Sequence, residues 1–497
     1  MWFCSGFSRL LALVAALLCA GAGAAAALDR AYLGASLIDG SGRAPIADSA
    51  LVVGADGRIT AAGARAEIAI PVDAERIDVS GRWITPGLID AHVHLSLSGG
   101  LYGWPGELDL RALRSHDDER ARWQEMLPDT LARYIAAGVT GVIDRGGPMT
   151  SLSLRAFGEG DRPAPRIALA GPMLSTWAAA GFLGEDAPNR RPETAADAAD
   201  HVRALAAAGF DMVKIHFMPA DRAAAERSRP WLQAAIQEAD RHGLPVVVHA
   251  TDEAWARLVV EAGADQLVHS IDDRPLSPEF AALLAERGVV TTTTLVVHES
   301  YREVFTGALD YSDIELALGD PEVIASLDDL ARIPARLLPK WILALRDGAN
   351  HRRGPPAPAT AAAAMPYYFT RDTAAIMAEN LRRLTAAGAM VAAGTDAGTI
   401  GTLHGPAIHR ELALMAAAGI APLAIIRAAT LGGAWAMARA GRLGTLEAGK
   451  WADFLILGED PVADIGALQR PLSVVKGGVA FDPAALLADL RARNSAH

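Results

Sequence analysis

The stretch Trp83-Ile84-Thr85-Pro86-Gly87-Leu88-Ile89-Asp90-Ala91-His92-Val93-His94 decides how the chain is read. Residues 83–90 form an apolar run of strand composition. It ends in two histidines two positions apart, which on an extended chain put both imidazoles on one face. Outward from this point, apolar β-type runs alternate with helical stretches, the pattern of a parallel sheet wrapped by helices. The strand candidates are 83–90, 139–145, 166–170, 212–217, 245–250, 266–270, 289–295 and 390–394. Several follow a repeated helix ending, as in Ala136-Ala137-Gly138, Ala207-Ala208-Gly209, Glu261-Ala262-Gly263 and Ala386-Ala387-Gly388. Glycine there caps a helix and turns the chain into the next strand. Eight such units predict an α/β fold, a (β/α)8 TIM-like barrel. An open doubly wound sheet is the alternative, but no Gly-x-Gly-x-x-Gly follows the first strand.

Barrel sites form where strands end, and the polar residues gather there. The fourth candidate reads Met212-Val213-Lys214-Ile215-His216, the fifth ends at His249, the sixth at His269, and the eighth runs into Gly394-Thr395-Asp396-Ala397-Gly398. Singly, each has a structural reading: a hydrogen-bonded histidine, or an aspartate capping a turn. Together with His92 and His94, these nitrogen and carboxylate donors from separate strands are what a divalent metal needs. Lys214 is the sharpest clue. The other lysines are only Lys340, Lys450 and Lys476, and Lys214 sits in a strand expected to be buried on both faces. A buried ammonium tends to deprotonate. A neutral amine can react with carbon dioxide to give an anionic carbamate able to bridge two metals. The alternatives are pairing with a buried carboxylate, or exposure at the strand end.

The chain has 497 residues, 51% hydrophobic and 21% charged, which provides a large core and excludes intrinsic disorder. A net charge of −12 without a basic block argues against nucleic acid as a partner. Residues 1–28 read as a signal peptide: Arg9 precedes an apolar run from Leu10 to Ala20, and small residues lead to Asp29. A periplasmic or secreted protein is expected, with no stable membrane partner after cleavage; the alternative is an uncleaved anchor, since no charge falls between Leu10 and Leu28. Both cysteines, Cys4 and Cys19, lie in this segment, so the cleaved chain would carry neither disulfides nor cysteine ligands. Residues 29–82 and 441–497 show short alternating runs split by turns, and are expected to form one small β-sandwich from both chain ends around a barrel at 83–440.

These motifs resemble the amidohydrolase superfamily of metal-dependent hydrolases, in the branch of imidazolonepropionase-like and prolidase-like proteins. The resemblance runs from Ile84 to His94, through Ala137-Gly138-Val139-Thr140, Lys214, His249, His269 and Gly394 to Gly398, to Glu447-Ala448-Gly449-Lys450-Trp451-Ala452-Asp453-Phe454. It implies two divalent ions, with zinc expected. His92, His94 and Asp396 would hold one and His249 and His269 the other, with carbamylated Lys214 between them. A bridging hydroxide would be the nucleophile, and Asp396 would carry its proton to the leaving group. Prolidase-like members commonly have tyrosine where Thr251 stands and glutamate before the histidine where Val268 stands.

The expected reaction is cleavage of an amide or cyclic amide C–N bond in a small-molecule substrate; a homo-oligomer is compatible with the sequence. The alternatives are a lactone or ester hydrolase on the same centre, and a non-catalytic binding protein. Candidate substrate contacts are Tyr102 and Trp104 in a long loop at 95–127, Arg145 after the second strand, and Trp177 after the third. His298 and His404, just past the seventh and eighth strands, complete this set. A second long connection, 296–373, contains a Pro/Ala-rich stretch at 354–364, part of which is expected to be mobile. With Phe182, the large apolar side chains near the mouth predict a preference for a hydrophobic or aromatic group beside the scissile bond.

Overall fold

Gly87 divides the opening strand candidate in two. Trp83–Pro86 pairs antiparallel with Phe454–Leu457 from the far end of the chain, whereas Leu88–Val93 pairs parallel with Val139–Asp144. A Cβ on Gly87 would lie 2.2 Å from Thr140 Oγ1, so the crossing point admits only glycine. The computed structural model describes residues 28–178, 181–344 and 372–494. Residues 1–27 of the expected signal peptide, His351, the stretch 354–364 and His497 lie outside the described residues. Among those described, no helix is long and apolar enough to cross a membrane.

The central strands, in chain order, are β1 (Leu88–Val93), β2 (Val139–Asp144), β3 (Arg166–Leu169), β4 (Val213–His216), β5 (Val246–His249), β6 (Gln266–Val268), β7 (Val290–Thr292) and β8 (Met390–Ala392). All neighbours pair in parallel, β1 to β3 in one sheet and β4 to β8 in another. At one seam Ala91 N donates to Ala393 O (2.9 Å) and Val93 bridges Ala397. At the other, Asp211 N donates to Leu169 O, and the short continuation Met173–Ser175 pairs with β4. Helices fill the connections, and the repeated Ala-Gly endings behave as expected. Gly138, Gly209, Gly263 and Gly388 all adopt φ between 76° and 113°, the left-handed region glycine enters without strain.

Leu88, Val142, Val213, Ile215, Val246, Val248 and Leu267 face the helices. Ile89, Ala91, Ile143, Ala168, Ala170, Met212, Val247, Val268 and Ala392 face the interior, which Ala434, Ala436 and Met437 also enter. The period-2 alternation therefore assigns the faces. At the chain ends, Arg30–Leu33, Ser49–Val53, Ile59–Ala64 and Glu75–Asp78 form one sheet. Ser36–Leu37, Trp83–Pro86, Phe454–Leu457, Pro471–Lys476 and Val479–Phe481 form a second. Tyr32, Leu51 and Ile59 of the first share an apolar cluster with Ile84, Phe454 and Val475 of the second.

The first long loop is shorter than the sequence suggests. A helix, His116–Ala136, starts inside it: Ser115 caps the end, and Asp117, Asp118 and Glu119 occupy its first turn. Its charged start hides the apolar face that emerges at Trp123, Leu127 and Leu131. The second connection contains helices Leu295–Thr306, Asp313–Leu318 and Pro321–Leu327, and these pack on the first loop. Leu101, Leu108 and Leu110 share a core with Phe305 and Leu327, and Leu101 N donates to Ser326 Oγ.

Candidate metal centre

His92 and His94 reach the same point because β1 is irregular. Its pairing with β2 shifts between Asp90 and Val93, so Val93 packs outward while both imidazoles turn to the strand mouth. Asp90, buried between β1 and β8, fixes this turn. It accepts from His92 N, Thr395 N and Thr395 Oγ1 (3.2, 3.1 and 2.6 Å), and burial nevertheless pushes its carboxyl up to about 7. Asp396 then enters with φ 63°, a left-handed conformation uncommon outside glycine. Its Oδ1 stands 3.3 Å from His92 Nε2 and 3.1 Å from His94 Nε2, with the two ring nitrogens 3.3 Å apart.

His269 is placed in the same way. Val268 faces the interior, so alternation would send His269 outward, but φ 70° turns its ring back. Its centroid lies 4.7 Å from that of His92 and 4.3 Å from that of His249; His216 follows at 4.2 Å from His249. The structure thus brings His92, His94, His269, His249 and His216 into one row. Lys214 shares the interior face of β4 with His216 and is 2% exposed. Among the described residues it makes no hydrogen bond or ion pair.

Burial, followed by neighbouring positive charge, holds His92, His249 and Lys214 well below their ordinary values. Burial likewise takes His216 and His269 down to about 3. His94 is the exception. Burial lowers it, but the hydrogen bond and charge of Asp396 outweigh that and leave it raised. Three lone-pair atoms crowded this closely repel unless a proton or cation lies among them, and His92 is held neutral. All three fall within 4.8 Å of one another, with nitrogen and oxygen donors and no sulfur, a set that fits a divalent cation such as zinc.

Two supports were not foreseen from sequence. Gly146 O accepts from His94 Nδ1 (3.1 Å), leaving Nε2 for the centre, and Thr294 Oγ1 meets His269 Nδ1 at 2.9 Å. A backbone acceptor leaves no trace in sequence. Thr294, however, ends the polar run Thr291 to Thr294, which stands out at the end of a buried strand.

The expected substrate contacts separate into three groups. Trp177 stays at the mouth, 54% exposed, its ring 4.7 Å from that of His216. His298 also borders the row, 3.8 Å from Asp272, with burial lowering it to about 4. Tyr102 instead anchors its loop: its hydroxyl donates to Asp329 and its face carries the Arg114 guanidinium. Trp104 is half-buried in the same loop, where its carbonyl accepts from Glu107 N and Leu108 N.

Arg145 and His404 are corrections. Arg145 is 0% exposed. It reaches into the interior, donating from Nε to Ala91 O, from Nη1 to Met212 Sδ and from Nη2 to Gln266 Oε1. The same alternation that turns Ile143 inward turns Arg145 inward, away from any substrate carboxylate. His404 has both nitrogens engaged, Nε2 donating to Leu97 O and Nδ1 accepting from Tyr134 Oη, and it stacks on Trp123. It braces the loop after β8.

Comparison with known proteins agrees with this architecture. The profile of the amidohydrolase family matches residues 83–480. An imidazolonepropionase of Ralstonia nicotianae is 32% identical over 52% of this chain and 67% of its own. Another, from Bradyrhizobium sp., is 39% identical over 22% of this chain, and the match spans only 28% of that relative's length. The crystal structure of a Xaa-Pro dipeptidase with bound methionine superposes with a TM-score of 0.63 and 19% identity, covering 91% of this chain and all of the other. The fold is an α/β TIM-like barrel, and the chain belongs to the amidohydrolase family.

Proposed function

We propose that this protein is a metal-dependent hydrolase that cleaves the C–N bond of an amide or cyclic amide. The observation that carries this reading is the meeting of His92 Nε2, His94 Nε2 and Asp396 Oδ1 beside the His249–His269 pair. Relatives named imidazolonepropionase and a neighbour named Xaa-Pro dipeptidase support the bond class. In this reading His92, His94 and Asp396 would hold one divalent ion and His249 and His269 a second, and Lys214, carboxylated on Nζ, would be a ligand to both. Such ions supply Lewis acidity and lower the pKa of water enough to make it a nucleophile near neutral pH. The chain's own residues do the rest. Gly146 O and Thr294 Oγ1 fix the imidazole orientations. Asp396 takes the proton of the attacking water and passes it to the departing nitrogen. Trp177 offers an aromatic face to the group beside the scissile bond.

The hydrogen bonds at both seams support a closed barrel, and the shared Tyr32–Phe454 cluster supports a β-sandwich built from both chain ends. The reading is tested by turnover of a panel of N-acyl amino acids, aryl amides, dipeptides, cyclic amides and lactones, before and after chelation and zinc return. Chelator-sensitive hydrolysis of a C–N substrate is expected. Hydrolysis of lactones alone by zinc-loaded protein would replace the bond class.

A further inference from the structure

Among the described residues, Arg145 is a buried cation without a paired anion. It is fully enclosed, and its three hydrogen-bond acceptors are a carbonyl, a thioether and an amide, all neutral. Among the described residues no carboxylate forms an ion pair with it, and burial alone lowers it to about 9, still charged at neutral pH. Leaving such a charge uncompensated is among the more costly arrangements a fold can hold. The interior is nonetheless shaped for it: Ala91, Ala168, Ala170 and Ala392 face inward at levels where barrels usually place bulky branched residues. Small side chains leave room for a guanidinium.

The place it occupies is informative. Met212, which meets Arg145 Nη1 at 3.0 Å, is two residues before Lys214, so both side chains project from the same face of that strand segment. Gln266, which meets Nη2, lies in the same row of the sheet, since Lys214 is level with Val247 and Val247 with Gln266. Ala91, whose carbonyl accepts from Nε, precedes His92. Arg145 therefore forms the floor of the centre, beside Lys214. After burial, its charge is the largest influence disfavouring an ammonium there.

We propose that the Arg145 guanidinium is the fixed counter-charge for an anion made on Lys214 Nζ, the carbamate, so that arginine and modified lysine form an ion pair that Arg145 does not find among the described residues. This rests on the reading of Lys214 given above. In the step, Nζ attacks the carbon of dissolved carbon dioxide and an N–C bond forms. One C–O π pair moves to oxygen, and the Nζ proton leaves to water. The buried pair changes from a lone guanidinium beside a neutral amine to a neutral cation–carbamate couple. Arg145 is a positioning residue and touches no substrate.

The test follows the carbamate directly. Full-length protein is incubated with zinc chloride and increasing 13C-labelled bicarbonate; the carbamate carbon is read by 13C NMR and metal content by elemental analysis. Wild type, Arg145→Lys, Arg145→Met and Arg145→Gln are compared, together with the thermal midpoint of each chelated protein. Arg145→Met and Arg145→Gln should need about tenfold more bicarbonate or more for half-maximal signal and bind fewer zinc ions. Arg145→Lys should retain part of the signal. The chelated Met variant should melt at or above the wild-type temperature, because an unpaired buried charge has been removed. Equal bicarbonate dependence in wild type and both neutral variants would overturn this inference while leaving the carbamate intact. A lower melting point with unchanged carbamate, or failure of both neutral variants to fold, would overturn it in favour of a structural brace. Zinc-bound wild type with no carbamate signal would overturn the Lys214 reading, and this inference with it.

Discussion

His94 Nε2 lies 3.1 Å from Asp396 Oδ1, across the seam where β1 meets the loop after β8. Asp396 raises the affinity of His94 for a proton more than burial lowers it, so a proton competes with metal for this contact. Metal loading must displace that proton. Affinity should therefore be level above the raised value and weaken as pH falls through it, by about tenfold per pH unit for each proton displaced. Competition with a chelator across this range measures the slope. A flat profile would remove His94 from the ligand set. Asp396→Asn should also lose most bound metal.

Lys214→Ala should lose the second metal and most activity, and a short carboxylic acid supplied with zinc should restore part of both. Lys214→Arg should fail as completely, because a guanidinium stays protonated and cannot form a carbamate. Elemental analysis and turnover check both variants; wild-type zinc content in Lys214→Arg would exclude the bridging role.

Trp177 presents an exposed ring beside His216 at the mouth. An aromatic contact of this kind contributes about 1 kcal/mol beyond area burial. Trp177→Ala should therefore lower kcat/KM for aryl amides by about fivefold while leaving small dipeptides little changed. A uniform loss across both classes would make Trp177 a loop anchor instead.

Glu411 accepts from Val296 N at 2.8 Å from a fully buried position, and burial pushes its carboxyl up to about 7 despite the hydrogen bonds it accepts. A carboxyl raised in the folded state favours folding when protonated. Its contribution is complete below the ordinary value of about 4.5 and is lost as pH rises through 7. Glu411→Gln keeps an acceptor without the charge. Its stability relative to wild type should improve between about pH 5 and pH 8, by up to about 3 kcal/mol. Paired thermal melts at the two pH values decide it; a constant difference would show that Glu411 does not titrate there.

Much of the centre could be read from the sequence because strand and helix periods are local. The glycines after Ala137, Ala208, Ala262 and Ala387 mark helix ends by their own backbone preference. Lys214 and His249 follow from alternation along β4 and β5, where Val213, Ile215, Val246 and Val248 take the opposite face. The inward role of Arg145 is hidden from the sequence for a related reason. Its strand-end position was visible, but not the inward parity or the neutral acceptors waiting there.

By itself, then, the sequence determined the alternation of strands and helices, the donor residues, and an interior lysine among apolar neighbours, since each depends on side-chain chemistry and short-range geometry. Only the tertiary structure decided how those donors converge. The register shift in β1 is set by pairing with β2, and the left-handed turns at His269 and Asp396, residue types that tolerate this region, are selected by surrounding contacts. The split at Gly87 likewise depends on Thr140 and on Phe454–Leu457 from the far end of the chain. These are long-range constraints, and no local period encodes them.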